Sequence, residues 1–218
     1  MKWSLSSLGT YEQCAAKYKF RYIDRVESTF SSPAAERGTQ LHGAIEAFLT
    51  GKSTELPNEI NFYTQYLTAL KTQIIFPEHV ICLNRDWKPT TPDAEDRWYK
   101  GILDLKALRS GDGAPTEATV IDWKTGKIYD SHDDQKSLYS LAVFAEESSV
   151  LRVRAIHVYL DLGKNREKTY DRQQMHELRA SWDSRILKLE NEKEWIPNPS
   201  FMCRYCPYSR SNNGTCKF

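Results

Sequence analysis

The sequence predicts an α/β fold in which one mixed sheet carries helices on its faces. Two observations predict it. Three strand patterns, HVICLN, WYKGILDLKAL and TVIDWK, succeed one another between residues 79 and 124. Helical periodicity brackets them, and a fourth strand pattern, RVRAIHVYLDL, follows the second of those helices. The order helix, three strands, helix, strand calls for both short reversals and a helical crossover, which a mixed sheet supplies.

Taken in order, residues 4–23 read as helical in one or two pieces, with Ser4 as cap. VESTFSSPAAE, 26–36, is a polar loop. In RGTQLHGAIEAFLTG the apolar residues Leu41, Ala44, Ile45, Phe48 and Leu49 recur at helical spacing, Thr39 can cap the start and Gly51 can end it. A further helix is expected over about 60–76, carried by Phe62, Tyr66, Leu70 and Ile74. The three strands follow, parted by the polar loop 85–97 and the turn-rich SGDGAPTE. A helix over about 134–147 sets Leu138, Leu141, Ala142 and Ala145 on one side. RVRAIHVYLDL is the last clear strand. A long amphipathic helix over about 171–190 turns Met175, Leu178, Trp182, Ile186 and Leu189 inward. The tail from WIPNPSFMC onward has no periodicity. The chain is expected to be one domain, 1–218, with the tail 197–218 docked to the N-terminal helix.

The chain has 218 residues, 40% apolar and 27% charged, which is ordinary for a soluble globular protein. A net charge of +1 does not advertise nucleic-acid binding, although a local basic patch suffices for it. No stretch approaches the roughly 20 apolar residues of a membrane span, and MKWSLSSLGTYEQC lacks a signal peptide's apolar core. Five cysteines, an odd number, read as free thiols or metal ligands rather than a disulfide framework. These features place the protein in the cytoplasm.

Chemistry concentrates in VIDWKTGK, 120–127. Alternate strand residues share a face, so Asp122 and Lys124 point one way and Trp123 the other. If GILDLKA neighbours this strand, Asp104 joins Asp122 near Lys124. Two converging carboxylates repel, and a hard divalent cation with oxygen ligands resolves that. Such a site can activate water and stabilise a phosphodiester's developing charge. A plain salt bridge at a sheet edge fits the same three letters. His42, one helical turn before Glu46, could add a nitrogen ligand. Gln135 and Tyr139, also a turn apart, could hold Lys124 or a phosphate.

Together the segments SLSSLGTYEQCAAKYKFRYID, RGTQLHGAIE, GILDLKA, VIDWKTGK, QKSLYSLA and CRYC…C resemble the PD-(D/E)XK nuclease superfamily, in its RecB-like exonuclease branch. The match runs from residue 4 to 216. The resemblance implies a restriction-endonuclease-like core and Mg²⁺ or Mn²⁺ ligation by His42, Asp104, Asp122 and the Trp123 carbonyl. It implies Lys124 as catalytic lysine and Gln135 and Tyr139 as the motif that follows. Leu103 stands where the family's name has proline, and Asp122 where many relatives have glutamate.

Cys203 and Cys206 form a C-x2-C pair, with Cys216 beyond and Cys14 near the N-terminus. Four thiolates suit a [4Fe-4S] cluster or tetrahedral zinc. A tail without metal, with Cys14 merely buried, is the remaining alternative. The resemblance to iron–sulfur nucleases of CRISPR adaptation and to AddB-type nucleases implies a cluster that joins the chain's two ends, although the gap before Cys216 is longer than in the tightest family patterns. Cys82 reads as core.

KYKFRYIDR interleaves bases with aromatics, so Lys17, Lys19 and Arg21 could follow a phosphate backbone while neighbouring rings stack on bases. A solvated basic helix face fits equally. Arg37 is a further candidate phosphate contact. The expectation is a metal-dependent DNA exonuclease acting on ends or single strands, in recombination, repair or phage DNA metabolism. A helicase or recombination protein is the expected partner. The rivals are a non-catalytic DNA-binding subunit and a flap or junction endonuclease.

Overall fold

The computed structural model describes residues 1–27, 33–109, 113–129 and 133–218. Parts of the expected loop 26–36 and of SGDGAPTE lie outside the described residues. Two compact units emerge, one of residues 1–32 with 181–218, the other of residues 33–180.

The first unit opens with α1 (Leu5–Gln13), α2 (Ala15–Tyr18) and a π-helical turn, Lys19–Ile23. Ser4 caps α1 as expected, in a reciprocal box with Ser7. Cys14, extended at φ −165°, breaks the helix in two. Aromatic rings join the two chain segments of this unit: Trp3 stacks on Trp182 at 6.4 Å between centroids, and Tyr18 on Trp195 at 5.6 Å. Arg185 grips Glu12 with two hydrogen bonds of 2.7 and 2.6 Å.

The second unit holds α3 (Pro33–Leu49), α4 (Thr64–Leu70), α5 (Asp133–Glu146) and five strands. The strands are β1 (Ile74–Leu83), β2 (Tyr99–Leu108), β3 (Glu117–Lys124), β4 (Arg152–Tyr159) and β5 (Lys164–Asp171). They lie in sequence order across one sheet. β3 and β4, joined through α5, pair in parallel, while the other three ladders are antiparallel. This is the mixed sheet with flanking helices that the residue patterns implied. α6 (Met175–Glu190) buries Trp182, Ile186 and Leu189.

Local physics accounts for the departures from expectation. Thr39 does not cap a helix; α3 already runs from Pro33, whose missing N–H costs nothing in a first turn. The Thr39 hydroxyl instead donates to the Ala35 carbonyl at 3.1 Å. Gly51 does end the segment, at φ +77°. The helix expected over 60–76 is a 3-10 stretch, Asn58–Tyr63, then α4, then strand from Ile74. Ile74, Ile75 and Phe76 are β-branched or aromatic and pair with Leu108, Ala107 and Lys106. β5 is an added strand, KNREKTYD, exposed at every residue but Tyr170, so no alternation marks it. The helix expected from 171 begins as a 3-10 turn, Arg172–Gln174, capped by Asp171.

The core of this unit lies on the sheet face that Trp123 occupies. Leu41, Ile45 and Phe48 of α3 and Leu67 of α4 close over Leu105, Ile121, Trp123, Ile156 and Val158. α5 packs by Leu138, Leu141 and Ala142, all fully buried, and it packs against β4, β1 and β3. Among the described residues no helix is long and apolar enough to cross a membrane.

Candidate active site

Three adjacent strands deliver three acids to one row. Pro77 pairs with Leu105 and His79 with Leu103, which sets Glu78 of β1 opposite Asp104 of β2. Leu105 pairs with Ile121, which sets Asp104 against Asp122 of β3, at the point where that ladder stops. His157 of β4 continues the row as the partner of Asp122.

The end of the β2–β3 ladder has a local cause. The Trp123 N–H is taken by the Asp104 carboxylate, which accepts it at 2.8 Å. Glu78 interrupts the β1–β2 ladder because its backbone is left-handed, φ 48°. A non-glycine residue held there costs on the order of 1–3 kcal/mol and persists only where its surroundings impose it.

α3 brings His42 over this row. Its Nδ1 stands 3.4 Å from Asp104 Oδ2, and the ring also meets the Trp123 backbone. Ligand atoms of His42, Glu78 and Asp104 all lie within 4.8 Å of one another. Glu46, one turn on, turns instead to Lys52 at 3.3 Å.

α5 closes the other side. Gln135 donates through Nε2 to Asp122 Oδ1 at 2.6 Å and accepts from Lys124 Nζ at 2.6 Å. One amide therefore fixes both charged residues of the acid–X–base strand. Tyr139 receives a second Gln135 N–H at 3.1 Å and donates to the Ile102 carbonyl at 2.9 Å. Lys124 Nζ lies 2.7 Å from Asp122 Oδ2. That oxygen is nonetheless buried with no aligned hydrogen bond, so the contact is charge against charge.

The electrostatics follow from crowding. Burial first, then the charge of Asp104, pushes the Asp122 carboxyl up to about 6, against the pull of Lys124. Burial and Asp104 also raise Glu78. Burial pulls His42 down, but its bond to Asp104 and the charges of Asp104 and Asp122 raise it overall. Carboxylates that hold protons this tightly want a cation. Hard oxygens with one imidazole are a donor set for Mg²⁺ or Mn²⁺, and the unaligned Asp122 Oδ2 offers a coordination position. His42, Glu78 and Asp104 fit such an ion, and Asp122 stands next to Asp104 in the row but outside that converging group.

His42, Asp104, Asp122, Trp123, Lys124, Gln135 and Tyr139, all singled out in the sequence, thus meet in one place. Glu78 was missed. Its signal was an acid inside the apolar run IIFPEHVICL, in a segment read as helix up to 76. The basic residues divide. Lys17 and Arg21 border a cleft in the first unit, whereas Lys19 pairs with Asp24 at 2.6 Å. Arg37 is held by Asp161 at 2.7 Å and by Glu59 at 2.5 Å. Asp161 in turn accepts the N–H of Gly126, just past Lys124, at 2.6 Å. Cys14, Cys203, Cys206 and Cys216 line a single cavity of the first unit. Cys82 is buried in β1, and burial raises its thiol.

This geometry is that of a nuclease fold, and the sequence agrees. The chain belongs to the PD-(D/E)XK nuclease superfamily, whose family model matches residues 2–211. Among solved structures, a candidate exonuclease from Eubacterium rectale is 13% identical and aligns over 97% of this chain and 88% of its own, with a TM-score of 0.53. SSO0001 is 16% identical over 95% of this chain and 83% of its own, with a TM-score of 0.49. At these identities the likeness is one of fold. No curated protein matches the sequence.

Proposed function

We propose that this protein is a divalent-metal-dependent deoxyribonuclease acting at DNA ends or on single strands. The observation that carries the reading is the joining of Asp104, Asp122 and Lys124, with His42 above them, by register and by the Gln135 amide. His42, Glu78, Asp104 and Asp122 would hold the ion. When bound it supplies an activated water and charge neutralisation at the phosphate. Lys124 directs its ammonium at the reacting phosphate or the attacking water. Gln135 holds that ammonium in place, and Tyr139 holds Gln135. The name of the Eubacterium neighbour points toward exonuclease action. End-labelled linear and closed circular DNA, single- and double-stranded, with Mg²⁺, Mn²⁺ or EDTA, tests the reading. Loss of linear DNA only with metal is expected. Degradation of closed duplex circles would favour an endonuclease, and no cleavage under any condition a binding subunit.

His42→Ala is expected to weaken Mn²⁺ binding about tenfold or more, with partial rescue of cleavage at high Mn²⁺. The metal should also compete with protons. Asp122 and His42 both hold theirs above the ordinary range, so Mn²⁺ affinity should rise as pH climbs through about 6, where Asp122 ionises, and on past the ordinary imidazole value, where His42 does. Calorimetric titration at pH 5.5 and 7.5 checks both expectations; equal affinities at the two pH values would remove these groups from the site.

A second proposal concerns the thiols. The common cavity of Cys14, Cys203, Cys206 and Cys216 favours a shared metal group. Backbone N–H groups of Asn198 and Ser200 donate to the sulfurs of Cys14 and Cys203, each at 3.4 Å, as around bound thiolates. We favour a [4Fe-4S] cluster, which needs four thiolates. Protein purified without oxygen should then be brown, and Cys203→Ala should bleach it while Cys82→Ala does not. One zinc and no iron per chain would replace the cluster with zinc.

A further inference from the structure

We propose that the cleft bordered by Lys17, Arg21, Arg25, Tyr205 and Tyr208 binds the sugar–phosphate backbone and one or more bases of a single-stranded nucleic acid. The site is separate from the carboxylate row and does not depend on the cleavage reading.

The argument begins with spacing. In KYKFRYIDR the cations at 17, 21 and 25 are four residues apart. α2 leads directly into the π-helical turn Lys19–Ile23, whose extra residue per hydrogen bond brings residues four apart closer to alignment than an α-helix would. Arg25 then turns left-handed, φ 53°, after Asp24 closes the helix. Lys19 stands off this line and is neutralised by Asp24 at 2.6 Å. The interleaved basic run is thereby sorted into one paired cation and three that share a cleft.

The cleft's charge has one sign. Among the described residues Lys17, Arg21 and Arg25 line it, and no carboxylate does. Among the described residues Arg21 and Arg25 make no ion pair, and Lys17 donates only to the Gln13 amide at 2.7 Å. The volume is about 480 Å³, room for a nucleotide-sized group rather than a bare ion. Three like charges around an open volume attract a polyanion and repel cations.

The opposite wall comes from the cysteine-bearing tail and is aromatic. Tyr208 is buried and donates its hydroxyl to the Val26 carbonyl at 3.3 Å, which pins this wall to the basic one. Tyr205 is 55% exposed, and the Arg204 guanidinium lies over its ring 5.7 Å from the centroid, a further cation on this wall. Cations beside an exposed aromatic ring are the pattern by which single strands are held, phosphates on the bases' outer side and a base on the ring. A duplex keeps its base faces covered, and an acidic peptide has no use for the tyrosine.

Binding of a fluorescein-labelled oligothymidylate to the full-length protein in EDTA, followed by anisotropy across a salt series, tests the proposal without cleavage. Replacing Lys17, Arg21 and Arg25 together by glutamine should lower affinity at least about tenfold. It should also flatten the salt slope by about 2, at roughly 0.7 per phosphate contact on a single strand. Tyr205→Ala should lower affinity about tenfold with the slope unchanged, and Tyr205→Phe should restore it. Wild-type affinity and slope in the triple variant would overturn the proposal. So would equal binding of polyglutamate, which would make the cleft a site for acidic protein. If the triple variant melts early, the exposed Tyr205→Ala decides, and unchanged affinity there overturns the stacking role. Hydrolysis of bis(p-nitrophenyl) phosphate by the wild type with Mn²⁺ reads the carboxylate site separately. Its failure would count against the nuclease reading and leave strand binding standing.

Discussion

Asp122→Ala and Asp104→Ala are each expected to lower DNA cleavage at least about a thousandfold, the rate equivalent of the several kcal/mol a catalytic metal supplies. Asp122→Ala should do so without lowering the melting temperature of the metal-free protein at neutral pH. The sign follows from linkage. Asp122 holds its proton up to about 6 in the fold, above the ordinary carboxylate value. Its ionisation therefore opposes folding; the cost sets in as pH rises past the ordinary value and is complete above about 6. Removing the group removes that cost. Lys124→Ala should keep metal affinity and lose most of the rate. Cleavage by Asp122→Ala at the wild-type rate with Mg²⁺ present would show that the row is not where the chemistry occurs.

The second large effect concerns stability. Lys106 follows Asp104 by two residues and is only 2% exposed. Its ammonium reaches Glu146 at 2.6 Å and Glu147 at 2.7 Å and sits 4.6 Å from the Phe76 ring centre. Glu146 also takes His79 at 2.8 Å. This group ties the C-terminal end of α5 to β1 and β2. Lys106→Ala would leave two partly buried carboxylates facing each other without their cation. Removing one partner of a buried pair costs about 3–5 kcal/mol; since both glutamates are about a quarter exposed, about 2–3 is expected here. At about 2–4 °C per kcal/mol for a chain of this size, the melting temperature should fall by roughly 5–10 °C. A loss under about 2 °C in thermal unfolding would show that water satisfies the glutamates. Since among the described residues no hydrogen bond or ion pair joins this cluster to the metal-ligand candidates, cleavage per folded molecule below the transition should change little.

The residues that mark the site were legible because strand alternation is local. Asp122 and Lys124 share a face by period alone, and β2 next to β3 is the simplest pairing of consecutive strands. What was not legible depended on register. The row Glu78–Asp104–Asp122 exists only once β1 is known to start at Ile74, five residues before the pattern HVICLN. A left-handed glutamate leaves no mark in hydrophobic periodicity. The division of the basic residues was hidden for a similar reason, since nothing in KYKFRYIDR says that Asp24 will take Lys19 rather than Arg21 or Arg25. The sequence offers Arg37 as a phosphate contact and gives no sign that Glu59 and Asp161 reach it from elements distant in the chain. The cysteines were legible as a set, although C-x2-C and a remote Cys14 specify neither iron nor zinc.

The strand that no pattern announced has its own consequence. β5 is an outer strand, and its free side is the kind of edge on which sheets of separate molecules can add to one another. Its composition opposes that: Lys164, Arg166 and Lys168 recur at every second residue, and every residue of the strand but Tyr170 is exposed. Two copies brought edge to edge would oppose ammonium and guanidinium groups at close range. The polarity that hid β5 from a search for strands therefore also guards the sheet against self-templated growth in concentrated solution.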